Sequence, residues 1–100
     1  MINFNEKTFL RELQYLVNVD SGIHCVDGLE KIADFFVEKY RSMGMAVEKK
    51  TFDPLYGPCV EARSHKEEEV IDLLLICHMD TVFPEGTTVK RPFYIAGDNA

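Results

Sequence analysis

The sequence predicts an α/β domain of layered helix and sheet, and three observations carry that prediction. Two stretches near the N-terminus repeat apolar residues at helical spacing. After Gly44 the pattern shortens to that of strands separated by turn residues. Residues 70–77 then form a nearly continuous apolar run, the pattern of a strand buried on both faces of a helix-flanked sheet.

The first helix follows from Asn3 and Glu6, which have capping-box spacing, and from Phe9, Leu13, Leu16 and Val17 on one helical face. It should end near Val19, where Asp20, Ser21 and Gly22 supply turn chemistry. In the second helix, Asp27 with Glu30 can cap the start. Leu29, Ile32, Ala33, Phe36, Tyr40 and Met43 make its apolar stripe, and Gly44 stands where a left-handed C-terminal cap is expected. Met45 to Phe52 reads as a strand with at least one wet face, 53–58 as a loop, and Cys59 to Arg63 as a second short strand. His65 to Glu69 is a polar turn, and Val70 to Ile76 is the buried strand. Phe83 to Pro92 is a Gly- and Pro-punctuated loop, and Phe93 to Ala96 begins another strand. A sheet of these strands alone leaves the apolar sides of 70–76 poorly covered, so residues 1–100 read as part of a larger domain.

The chain has 100 residues, enough for one modest domain. Its hydrophobic share of 46% and charged share of 28% are those of a globular chain, not a disordered one. A net charge of -6 argues against nucleic acid as partner and against an anionic membrane surface. The longest apolar run is interrupted by Asp72 and is far short of the ~20 residues a spanning helix needs. The stretch from Met1 to Glu6 lacks the basic and apolar regions of a secretory signal. Cys25, Cys59 and Cys77 form no C-x-x-C pair and are odd in number, which fits free thiols in a reducing cytoplasm.

The chemistry-bearing motif is His78-Met79-Asp80-Thr81-Val82, directly after the apolar run. Ligands of α/β sheets bind beyond the carboxyl ends of the strands. In extended chain, residues two apart project to the same side, so the His78 imidazole and the Asp80 carboxylate can meet. One ring nitrogen could then bind a metal while the other donates to the carboxylate. On position and chemistry alone, a loop histidine bonded to a neighbouring aspartate is the better reading of the triplet.

The wider run from Leu73 to Gly86, followed by Arg91-Pro92-Phe93 and Gly97-Asp98, resembles the zinc-dependent aminoacylase/carboxypeptidase superfamily. Within it, the H-M-D-T-V form is similar to the glutamate carboxypeptidase and peptidase T branch. Leu16-Val17, Ser21-Gly22, Gly28, Ala33 and Gly44 fall where such proteins have their first two helices, but only Leu73 to Val82 is diagnostic. The resemblance implies a zinc exopeptidase-like catalytic domain, of which 1–100 would be the N-terminal portion. It further implies that His78 is a ligand of one of two zinc ions and that Asp80 clamps its ring. The metal-bridging aspartate, the paired glutamates, the remaining ligands and the lid domain have no counterpart in these residues. Cys77 departs from the Gly or Ser common before the histidine and reads as a small apolar strand residue.

Other candidates are weaker. His24 and Cys25 are adjacent and point apart, His65 lies in a charged turn, and Glu67 to Glu69 is a solvated charge run. No G-x-S-x-G, Walker or Rossmann pattern is present. The implied function is cleavage of peptide or N-acyl amino acid amide bonds, with a small peptide or N-acyl amino acid as substrate. The chain by itself is expected to be inactive and to hold zinc weakly or not at all. The alternative is a non-catalytic module that self-associates, as a homodimer for instance, through an exposed sheet edge and the uncovered apolar strand.

Overall fold

The computed structural model describes residues 3–65, 67 and 69–100, and its core is one helix laid on a two-stranded hairpin. The elements run α1 (Glu6–Val17), α2 (Val26–Ser42), β1 (Ala46–Lys50), β2 (Cys59–Arg63) and the short α3 (Thr87–Lys90). β1 and β2 are antiparallel, in a register from Ala46 opposite Arg63 to Lys50 opposite Cys59. Lys66 and Glu68 of the predicted polar turn, and Met1 and Ile2, lie outside the described residues.

α2 supplies the core because its stripe faces the hairpin. Leu29, Ile32, Ala33 and Val37 are buried, and Ala33 is wholly inaccessible. Phe36 and Tyr40 are half-buried and Met43 is exposed, so the stripe drifts off the hairpin toward its C-terminal end. The helix closes as its sequence predicts, with Gly44 at φ 82°. Its start differs: Cys25 is the cap and no side chain bonds there, so Asp27 and Glu30 form no capping box. Glu30 instead joins Asp34 in holding Lys49 of β1, at 2.8 and 2.7 Å, which ties helix to hairpin. Those bonds, Asp34 first, raise the Lys49 pKa.

α1 is capped by Asn5, whose side chain accepts from the Thr8 N–H at 3.1 Å, and not by Asn3. It buries no residue. Phe9 and Val17 of its predicted apolar face are exposed, while Tyr15 stacks on Phe35 of α2 with ring centroids 5.6 Å apart.

Segment 70–76 departs most from expectation. It is irregular, with a bend at Asp72, and among the described residues its backbone bonds to no other backbone. Leu73, Leu74, Leu75 and Ile76 are 75, 67, 81 and 85% exposed. The expected buried central strand is therefore wrong for this molecule. Burial on both faces needs strands along both edges and a layer over each face. The observed sheet contains β1 and β2, and 70–76 pairs with neither. The strand expected from Phe93 is likewise absent. Ala96 and Asn99 close a tight turn there, with Gly97 at φ 62°.

Residues 81–93 do not drift free. They dock on the turn between α1 and α2, where Thr81 pairs in parallel with Gly22 and its N–H donates to the Ser21 carbonyl at 2.7 Å. Phe93 N–H donates to the Asn18 side-chain oxygen at 2.8 Å. Among the described residues, no helix is long and apolar enough to cross a membrane.

Candidate functional site

His78 and Asp80 emerge from the unpaired segment just before the Thr81 anchor, which fixes where they stand relative to the α1–α2 turn. Their side chains meet: His78 Nδ1 lies 2.8 Å from the Asp80 carbonyl oxygen and 3.3 Å from its carboxylate Oδ1. Both neighbours are acceptors only, so in the neutral imidazole Nδ1 carries the proton and Nε2 keeps its lone pair. The carbonyl is the closer acceptor and holds the better bond. The ring is 82% exposed, and Nε2 has no partner among the described residues. A metal-binding imidazole needs this tautomer, with one nitrogen pinned and the other offering its lone pair.

The pair stands at the edge of a groove of about 470 Å³. Leu29, Phe36 and Tyr40 of α2 line one side, Tyr56, Cys59 and Val60 another, and residues 77–80 the third. Gly57 is needed there, because a Cβ on it would lie 2.5 Å from Leu29. The groove is mainly apolar, with His78 and Asp80 among its lining residues.

A donor set for a metal is not complete in this chain. Among the described residues, no group of three or more His, Cys, Asp or Glu side chains is placed to share an ion. His24 stands 6.0 Å from the Tyr56 ring, centroid to centroid, and His65 is exposed with its Nδ1 3.1 Å from the Ser64 hydroxyl. Neither joins His78. Cys59 and Cys77 are exposed thiols lining the groove, and Cys25 is half-buried at the start of α2.

The residue that sequence reasoning undervalued is Asp20, expected only to supply turn chemistry. Its Oδ2 accepts from the Gly86 N–H at 2.8 Å and its Oδ1 from the Thr88 N–H at 3.1 Å. The two bonds, Gly86 first, hold its carboxyl below the usual carboxylate range. The carboxylate thereby holds the loop that follows the His78 motif. The available signal was an acidic turn residue sixty-six positions before a glycine-led helical turn, which no local rule reads.

No family model and no solved structure matches the chain. Among curated proteins, it is similar to carboxypeptidase G2 of Pseudomonas sp. (strain RS-16). The two are 29% identical over 97 residues, a match covering 91% of this chain and 22% of that protein. The chain thus spans about a fifth of the length of the curated relative it matches.

Proposed function

We infer that this chain is one portion of a metal-dependent hydrolase that cleaves peptide or N-acyl amino acid amide bonds, and that alone it does not catalyse. The observation that carries the reading is His78, an exposed side chain lining an apolar groove, whose Nδ1 is held by Asp80 and whose Nε2 has no partner among the described residues. The distant similarity to a carboxypeptidase supports an exopeptidase over other hydrolases. Zinc is the metal that the resemblance of the His78 motif implies. The residues present do not complete a zinc site, which takes about four ligands when closed and three plus water when catalytic. His78 supplies one, and Asp80 orients it. The three unpaired thiols favour a reducing compartment, the cytoplasm.

Calorimetric titration with zinc ions tests this. The expected result is weak binding that disappears in His78→Ala and persists in His24→Ala and His65→Ala. Binding unchanged in His78→Ala refutes the assignment. In the same preparation, hydrolysis of N-acyl glutamates and dipeptides should stay at the blank with zinc added. Turnover abolished by His78→Ala would refute the claim that the chain alone is incompetent.

A further inference from the structure

We propose that the turn between α1 and α2 positions His78 through the peptide unit joining Asp80 to Thr81, with Asp20 as the side chain that holds this arrangement. The role this gives Asp20 rests on the reading of His78 as a metal ligand. Among the described residues, no backbone–backbone hydrogen bond holds 69–80, so nothing upstream fixes the pair by its backbone. The peptide at 80–81 is the first unit that is held. Its N–H donates to the Ser21 carbonyl at 2.7 Å, and its carbonyl accepts from His78 Nδ1 at 2.8 Å. In a planar trans peptide these two groups point to opposite sides, so fixing the N–H on Ser21 aims the Asp80 carbonyl at the imidazole. The Nδ1–H tautomer, and with it the free Nε2, then follows from a contact with the turn.

Asp20 keeps the held peptide from pivoting. One bond at Thr81 leaves the following chain free to swing, but the Asp20 carboxylate takes the Gly86 and Thr88 N–H groups at 2.8 and 3.1 Å. Two donors need two acceptor oxygens, and the charge makes each bond roughly twice as strong as a neutral one. Asparagine offers one oxygen and sets its own NH2 against the other N–H.

The turn itself is backed. Ser21 is buried, with its hydroxyl 3.3 Å from that of Thr81. A Cβ on Gly22 would lie 2.3 Å from the Phe83 carbonyl oxygen, so glycine admits the chain that leaves the motif. α2 presses on the turn at Gly28, where a Cβ would meet the Asp20 carbonyl. These contacts draw nothing from segment 70–76.

Long-range proton–nitrogen NMR of the His78 ring, at a pH where it is neutral, compares the unaltered chain with Asp20→Asn and Val37→Ala. The second variant weakens the core at a residue buried in α2 and leaves the Asp20 and Ser21 bonds in place. In Asp20→Asn the Nδ1 and Nε2 shifts should converge as the ring exchanges between tautomers, and zinc affinity at His78 should fall about threefold. Val37→Ala should move neither. His78 shifts unmoved in Asp20→Asn, or moved equally in Val37→Ala, overturn the proposal. Zinc that fails to bind His78 in the unaltered chain overturns the metal reading instead, and the tautomer comparison still decides the role of Asp20. If Asp20→Asn does not fold by circular dichroism, Asp20→Ser, which keeps one acceptor oxygen in a turn-forming residue, is read by the same outcomes.

Discussion

Asp20, Gly28 and His78 each do something that their neighbours in sequence do not reveal. A Cβ at Gly28 would lie 1.7 Å from the Asp20 carbonyl oxygen, so the first turn of α2 rests directly on the backbone of the α1–α2 turn. Gly28→Ala therefore sets two effects against each other. Alanine improves helix propensity by about 1 kcal/mol, while forcing a methyl into backbone costs about 1–3 kcal/mol. Net destabilisation should appear as a lower urea midpoint. At Asp20 the folded carboxyl is held below its ordinary 3.8, so the stability it contributes is present above that value. It is lost as pH falls through the lower folded value. Acidification below about 4 should then release residues 86–88, seen as Gly86 and Thr88 amide shifts that follow the Asp20 titration and are absent in Asp20→Asn. Asp80→Asn should weaken zinc binding at His78 by about tenfold, the low end for a lost orienting partner. The reason is that the Asp80 carbonyl, at 2.8 Å, still pins the ring.

Among the elements, α2 and the hairpin carry the stability and α1 does not. Leu29→Ala should cost about 2–5 kcal/mol, and Phe9→Ala should stay within about 0.5 kcal/mol, both measured by chemical denaturation. These elements were legible because their signals are local. The stripe Leu29, Ile32, Ala33 and the φ-positive Gly44 follow from a helix period and its stop, and Cys59 to Arg63 from a short run between turn residues. That 70–76 would be poorly covered was legible from the few strands around it, but not that it would form no strand, because an apolar run reports what the segment would bury against and not whether it pairs without that surface. The approach of His78 to Asp80 was foreseeable from the two-residue spacing, but the closer acceptor is the backbone carbonyl, which no side-chain pattern displays. Asp20 was missed because its partners, Gly86 and Thr88, are joined to it by the fold alone.

The molecule as a whole is open. It measures 45 × 41 × 19 Å with a radius of gyration of 15.5 Å, against about 13 Å for a compact domain of this length. An apolar strap is exposed, and a groove lies beside His78. The functional account rests on the state of the His78 ring. Long-range proton–nitrogen NMR of the imidazole, at a pH where the ring is neutral, reads this directly. The account predicts a protonated Nδ1 with a lone pair on Nε2, and a further Nε2 shift when zinc is added. An Nε2-protonated ring, or a His78 spectrum indifferent to zinc, would contradict it.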